Sequence, residues 1–140
     1  MSKLSFPKKV ILISSVETDN QLPGKFLTIG KTRILNVIPQ SLIKPPKPLL
    51  GPLFGAKNKQ LLEQIIEDTS PTFIRWALNV IINWSNKENL IKPIRIHGTN
   101  DKLIPLNGAA IKIENGGHFM IVDNAEEISK LVNEQMRYAG

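Results

Sequence analysis

The stretch "IRIHGTNDKLIP", residues 94–105, decides how the rest of the chain is interpreted. It begins with a short apolar run that is typical of a buried strand, and it breaks at Gly98 into a polar loop that contains Asp101. Further along, "ENGGHFMIVDNAEE", residues 114–127, places His118 behind two glycines. A strand-end aspartate followed by one of only two histidines in the chain is a candidate acid–base pair.

Two other apolar runs predict strands on either side of this stretch. They are "VILIS", Val10–Ser14, and "AAIKI", Ala109–Ile113. Continuous β-branched and aliphatic runs are typical of parallel strands that are covered on both faces. Between the first and second strands, residues 19–70 are dense in proline, which excludes long helices and central strands. We therefore expect an irregular helical insertion there.

Two helices are predicted at the end of this insertion. The first, "KQLLEQIIED" at 59–68, carries an apolar stripe at helical spacing, formed by Leu61, Leu62, Ile65 and Ile66. The second, "SPTFIRWALNVIINW" at 70–84, begins with Ser70 as the expected N-cap and Pro71 at the first helical position. Its apolar residues extend nearly all the way round, so we expect this helix to be mostly buried.

The C-terminal stretch "NAEEISKLVNEQM", residues 124–136, predicts an amphipathic helix. Asn124 is the expected cap, and acidic residues follow in the first turn, where they favour the positive end of the helix dipole. The residues expected to face inward are Ile128, Leu131 and Val132.

The order strand, helical insertion, strand, strand, helix predicts an α/β fold with about three parallel strands. In open parallel sheets, functional residues collect at the carboxyl ends of the strands, and Asp101 and His118 both follow such ends. A carboxylate that accepts a hydrogen bond from the imidazole Nδ1–H leaves Nε2 as a general base. The two glycines before His118 are expected to let the backbone turn tightly.

Composition limits the other classes of function. The chain has 140 residues, 41% of them hydrophobic, and no apolar run near the roughly 20 residues of a membrane span. There is no cysteine, hence no disulfide or thiol chemistry, which fits a cytoplasmic protein. The net positive charge lies entirely in residues 1–60, but without arginine clusters or interleaved aromatics, so no nucleic-acid partner is expected. No spacing of His, Asp or Glu suggests a metal, and no cofactor is expected.

The pieces "VILISS", "PIRIHGTNDKLIP" and "IENGGHFMIVDNAEEISKLV" together resemble the C-terminal portion of the α/β-hydrolase family. The patterns HG-x-x-D-x-x-[IV]-P and GGH carry the resemblance. It implies one partial domain over residues 1–140, with the family's last three strands and a helical cap at 19–89. It also implies that Asp101 is the acid and His118 the base of a Ser-Asp-His triad. The substrate of the intact enzyme would be a small-molecule ester or related acyl compound.

The nucleophile that this resemblance requires is missing, because none of the serines lies in a G-x-S-x-G elbow. The resemblance puts the elbow upstream of "VILISS", so we expect little or no hydrolase activity from this chain alone. Ser14 and Ser15 follow the first strand but lack the strained turn that exposes a nucleophile. The link "KLIPLNG" is shorter than the helical connection common in the family. His97 is expected to be a packed strand-end residue without chemistry.

Two function hypotheses follow. The first is the C-terminal part of a serine hydrolase that carries the triad acid and base. The second is a non-catalytic binding module or remnant scaffold, whose basic, proline-rich segment contacts an anionic partner. Under either hypothesis the apolar strand Val10–Ser14 is expected to need a neighbour on both sides. With one edge open, we expect the isolated chain to self-associate through that edge.

Overall fold

The structure is a computed structural model that describes residues 9–24, 28, 32, 35, 37–87 and 92–137. Its strands are β1 (Ile11–Ile13), β2 (Ile94–Gly98) and β3 (Ile111–Ile113). Its helices are α1 (Lys47–Phe54), α2 (Lys59–Asp68), α3 (Pro71–Ile82), α4 (Met120–Asp123) and α5 (Ala125–Arg137). Of the predicted insertion at 19–89, the positions 25–27, 29–31, 33, 34, 36, 88 and 89 lie outside the described residues.

The three strands form one parallel sheet in the order β1-β2-β3. Ile11 lies beside Ile94, and Ile96 lies beside Ile111, so β2 is hydrogen-bonded on both sides. This confirms the α/β class and the three parallel strands, although β1 and β3 are shorter than the apolar runs that predicted them. The connection from β2 to β3, residues 99–110, contains no helix and still joins two parallel neighbours.

The two faces of the sheet have different neighbours. Ile96 of β2 and Ile113 of β3 are fully buried, and both pack with Met120 and with Ile128 of α5. A buried aliphatic side chain of this size stabilises the fold by about 1.5–3 kcal/mol, so this layer holds α5 to the sheet. Side chains alternate along a strand, so the residues between these isoleucines, such as His97, face away from α5.

The prediction that the α3 helix is mostly buried is wrong. Phe73 is 55% exposed and Trp76 is 60% exposed, whereas Ile82 is buried. Apolar residues surround α3, but the described chain packs only on the edge formed by Ile74, Leu78 and Ile82. No helix in the described ranges has both the length and the apolar character that crossing a membrane requires.

The start of α3 agrees with its predicted cap. The Ser70 hydroxyl oxygen accepts a hydrogen bond from the Phe73 N–H at 3.1 Å, and Pro71 occupies the first turn. A serine in this position satisfies a helix N–H group that has no partner within the helix. The predicted cap on α3 is therefore confirmed.

The predicted cap on α5 is wrong. The Asn124 Oδ1 atom is buried without a hydrogen-bond partner among the described residues, and its Nδ2 donates to the Glu127 carboxylate at 3.3 Å. The reason lies in the preceding helix, α4, whose C-cap is Asn124 with φ −121° and ψ 31°. An N-cap side chain needs extended backbone to reach the first amides of its helix, and this backbone is not extended.

Replacing Ser70 with alanine is expected to lower the free energy of unfolding by about 1 kcal/mol, because the Phe73 N–H loses its acceptor. Urea titration followed by circular dichroism measures the change. Ser85→Ala, at an exposed position after α3, is the matched control and should change stability little. Equal effects of the two substitutions would contradict the capping role.

The outer edge of β1 is open in the described structure. The Ile94 N–H donates to the Val10 carbonyl and the Ser14 N–H donates to the Ile96 carbonyl. Alternation along the strand therefore turns the backbone groups of Ile11 and Ile13 outward, where no described strand pairs with them.

Because an open apolar strand edge is a template for pairing, the isolated chain is expected to dimerise or aggregate at micromolar concentrations. Light scattering across a concentration series measures this. A clean monomer throughout the series would contradict the prediction. Growth of the scattering mass with concentration would support it.

Candidate active site

Asp101 lies in the tight loop that follows β2, and it is only 5% exposed. Its Oδ1 atom accepts hydrogen bonds from the N–H groups of Leu103, at 3.0 Å, and Ile104, at 2.9 Å. An aspartate that binds the amides two and three residues ahead closes its own turn. The loop sequence thus fixes one carboxylate oxygen and leaves the other, Oδ2, for a partner from elsewhere.

That partner is His118, in the loop after β3. Its Nδ1 lies 2.9 Å from the Asp101 Oδ2 atom, and its side chain is 27% exposed. An ionised carboxylate only accepts hydrogen bonds, so the proton lies on Nδ1 and Nε2 carries the lone pair. The structure thus brings together the two residues that the sequence singled out; their catalytic role stays a prediction.

The glycines around this pair are required for close approach. A Cβ atom on Gly98 would lie 2.1 Å from the carbonyl oxygen of Gly116. Neither Gly116 nor Gly117 has a positive φ; the left-handed residue of this turn is Asn115, with φ 57°. The backbone does turn tightly here, since the Gly116 N–H donates to the Ile113 carbonyl at 3.1 Å, and the two glycines also provide space between closely packed backbones.

The loop of His118 also contacts the insertion between β1 and β2. The Phe119 N–H donates to the Phe54 carbonyl at 3.1 Å, and the ring of Phe54 lies 6.0 Å from the imidazole of His118. A Cβ atom on Gly117 would lie 2.6 Å from the Cα atom of Gly55. The C-terminal end of α1 therefore packs directly on the backbone that presents His118.

Opposing effects act on the ionisation of Asp101. Burial raises the pKa of its carboxyl, and this is the largest effect. The hydrogen bonds from His118 and from the Ile104 N–H lower the pKa, as do the charges of His118 and His97. Together they more than offset the burial, so the pKa of Asp101 lies below its usual value.

A carboxyl with a lower pKa in the folded chain than in the unfolded chain adds stability above the unfolded pKa. That stability is lost as the pH falls through the folded pKa. We therefore expect Asp101 to contribute to a fall in the free energy of unfolding below about pH 4. Urea unfolding of the wild type and of Asp101→Asn at several acidic pH values measures this contribution. Parallel pH profiles for the two proteins would contradict it.

His97 is the second histidine at this edge of the sheet. It is 0% exposed, and its Nε2 lies 2.7 Å from the Ile104 carbonyl oxygen and 3.6 Å from the Asp101 Oδ2 atom. The prediction of a packed strand-end residue is confirmed. The close approach of His97 to Asp101 was not predicted from the sequence. The available indication was that the two residues are only four positions apart, on a loop that folds back on β2.

A cavity of about 590 Å³ opens beside His118. Its walls are mainly apolar and come from β1, α3 and the loops, including Val10, Leu12, Leu22, Val80, Ile81, Trp84 and Ile104. Glu17 also reaches the cavity, and its carboxylate lies 3.5 Å from Nε of the buried Arg95, which compensates its charge. The Nε2 atom of His118 makes no hydrogen bond to any described residue.

Ser14 and Ser15 also line this cavity. Ser14 has a left-handed backbone, with φ 43°, but its Oγ atom is buried. No hydrogen bond joins a serine of the described ranges to His118. Ser14 is thus not presented as a nucleophile, in agreement with the expectation from the sequence.

Within the described ranges, no group of three or more His, Asp or Glu side chains is placed to hold a metal ion. No protein-family model, no curated protein and no solved structure matches this chain. The geometry of the site is therefore the basis on which its chemistry is argued.

Proposed function

We propose that this chain is the C-terminal part of a serine hydrolase that acts on esters or related acyl substrates. Asp101 orients His118, and the Nε2 atom of His118 is the general base. The observation that carries the proposal is the 2.9 Å hydrogen bond from the His118 Nδ1–H to a buried carboxylate. With Nδ1 protonated, the lone pair of Nε2 is free to accept a proton beside an apolar cavity.

The mechanism needs a serine from a polypeptide segment outside these 140 residues. Its hydroxyl attacks the ester carbonyl while His118 Nε2 takes the proton, and Asp101 stabilises the imidazolium. His118 then gives the proton to the leaving alcohol as the C–O bond breaks. Water repeats the same steps on the acyl-enzyme and releases the acid. A strand that carries this serine would pair with the open edge of β1, at the same carboxyl end of the sheet.

The cavity supports an apolar acyl group as the part of the substrate that binds here. Aliphatic and tryptophan side chains dominate its walls, and its one carboxylate is compensated by Arg95. Binding of a hydrocarbon chain to such walls is favourable by about 25 cal/mol for each Å² of apolar surface that is removed from water. The described lining residues of the cavity offer no uncompensated positive charge for an anionic substrate.

The first test is to determine the coding sequence in frame upstream of Met1 and look for a G-x-S-x-G elbow. If it is there, the longer chain is expected to hydrolyse p-nitrophenyl esters, and His118→Ala should lower kcat by about 10⁴-fold or more. Ser85→Ala, at an exposed loop position, is the matched control and should leave kcat unchanged. The 140-residue chain should not react with a fluorophosphonate probe.

A stop codon or unrelated sequence upstream, together with no esterase activity, would overturn the hydrolase proposal. The remaining hypothesis would then be a binding module for an anionic partner, recognised by a steep salt dependence of binding. Two described lysines of the basic half already contact Glu67: Lys44 donates to its carbonyl and Lys47 pairs with its carboxylate.

A further inference from the structure

We infer that His97 is a positioning residue, which holds Asp101, and through it His118, in the geometry that general-base chemistry requires. The inference rests on the proposed function for its catalytic consequence only; the positioning itself is a property of this chain. His97 touches neither the cavity nor any substrate position, so its action is indirect.

The Ile104 peptide carries the indirect contact. The carbonyl of Ile104 accepts a hydrogen bond from the His97 Nε2–H at 2.7 Å, and its N–H donates to the Asp101 Oδ1 atom at 2.9 Å. Because a carbonyl oxygen only accepts, the proton of His97 must lie on Nε2. His97 therefore fixes the residue that closes the Asp101 turn.

A direct contact adds to this. The Nε2 atom of His97 lies 3.6 Å from the Asp101 Oδ2 atom, which is the oxygen that accepts from His118. The Nε2–H of His97 is directed at the Ile104 carbonyl, so at 3.6 Å it does not hydrogen-bond Oδ2, but its partial positive charge favours the negative charge of that oxygen in a buried site. It also occupies one side of Oδ2, so that the His118 Nδ1–H meets the oxygen from a defined direction.

A packing role alone does not account for an imidazole at this position. His97 is fully buried, and its Nδ1 atom has no hydrogen-bond partner among the described residues. Burying an unsatisfied polar atom destabilises a fold, so an apolar side chain would be more favourable here. The hydrogen bond to Ile104 is the interaction that only a polar side chain here supplies.

Ser14 is placed to support the required tautomer of His97. Extending the β1–β2 register by one residue sets Ser14 beside His97, and both lie on the face away from α5. The Ser14 hydroxyl is buried without a protein partner, and its φ of 43° is rare for a residue other than glycine. The Ser14 Oγ and His97 Nδ1 atoms do not hydrogen-bond each other, since both are without a partner among the described residues, so this support for the Nε2–H tautomer requires a water between them.

The test uses the 140-residue chain with ¹⁵N-labelled histidine. There are only two imidazoles, so each resonance is assigned by one substitution. The proposal requires neutral His97 as the Nε2–H tautomer and a protected His118 Nδ1–H proton. His97→Phe keeps a buried ring without the donor, and solvent exchange of the His118 Nδ1–H proton is expected to rise about tenfold. His97→Gln keeps a donor for Ile104 and should restore most of the protection.

Ile128→Ala is the control for lost stability, because Ile128 packs on the opposite face of the sheet. It should lower the urea midpoint of unfolding and leave the exchange of the His118 proton in the folded state unchanged. Unchanged exchange in His97→Phe would overturn the inference. If that variant does not fold, the wild-type spectrum decides, because an Nδ1–H tautomer of His97 contradicts the inference without any substitution.

The test of the positioning role can be separated from the test of the proposed function, because measurements of the tautomers and of proton exchange do not require catalysis. If the longer chain is active, His97→Phe is expected to lower kcat about tenfold with KM unchanged, since His97 acts through Asp101. If the tautomers and exchange rates are as expected but no hydrolase activity exists, the positioning stands and the proposed function fails.

Discussion

Replacing Gly98 with alanine is expected to destabilise the chain by about 3 kcal/mol or more, enough to unfold a marginal domain. The added methyl group would lie 2.1 Å from the Gly116 carbonyl oxygen and 2.6 Å from its carbon. Both atoms belong to the backbone, so no change of rotamer relieves the clash. The ends of β2 and β3 would have to separate, and with them the loops that carry Asp101 and His118.

Thermal and urea unfolding measure this effect, with Gly24→Ala as the matched control. Among the described residues, a Cβ atom on Gly24 would have no neighbour within 4 Å, and Gly24 has no positive φ, so its substitution should change stability little. Gly108→Ala provides an intermediate case, since its φ of 79° strains a side chain but its nearest neighbour is 3.5 Å away. A stable, cooperatively unfolding Gly98→Ala protein would contradict the close approach of the two backbones.

Replacing Asp101 with asparagine is expected to reverse the tautomer of His118. The carbonyl oxygen of the amide would take the place of Oδ1, because the amides of Leu103 and Ile104 need an acceptor there. The amide NH₂ group would then face the Nδ1 atom of His118, which must become the acceptor. The proton moves to Nε2, the atom that should receive a proton from the nucleophile.

In a catalytically complete hydrolase, this wrong tautomer is expected to lower kcat by about 10⁴-fold with little change in KM. In the 140-residue chain, the ¹⁵N shifts of His118 report the reversal directly. Asp123→Asn is the matched control: its carboxylate also accepts two backbone N–H bonds, from Lys57 and Asn58, but it does not contact His118. An unchanged His118 tautomer in Asp101→Asn would show that the carboxylate does not set it.

The sequence was sufficient for the parts of the fold that depend on local pattern. Apolar runs predicted three parallel strands, and the strand-end positions of Asp101 and His118 predicted that they meet. Parallel neighbours end at the same edge of a sheet, which makes such a meeting a property of topology. The Ser70 cap was also local, since a side chain and an amide three residues apart decide it.

The rest depends on contacts between distant segments, which a single sequence does not contain. The burial of α3 was overestimated because an apolar residue is buried only if something covers it. The close packing at Gly117 was not predicted, because the atoms nearest to a Cβ there come from Gly55 and Phe54, at the end of α1. The approach of His97 to Asp101 depends on the fold of a loop whose residues carry no helical or strand period.

The contact between α1 and the backbone before His118 couples the insertion to the candidate site. The Phe119 N–H donates to the Phe54 carbonyl, and Gly55 and Gly117 lie too close to admit a methyl group. A displacement of α1 is therefore transmitted to the loop that holds His118. Among the described residues, the lining of the cavity includes Val80 and Ile81 of α3 and none of α1. Substitutions in α1 are thus expected to change the position of the imidazole, whereas substitutions in α3 are expected to change the shape of the cavity.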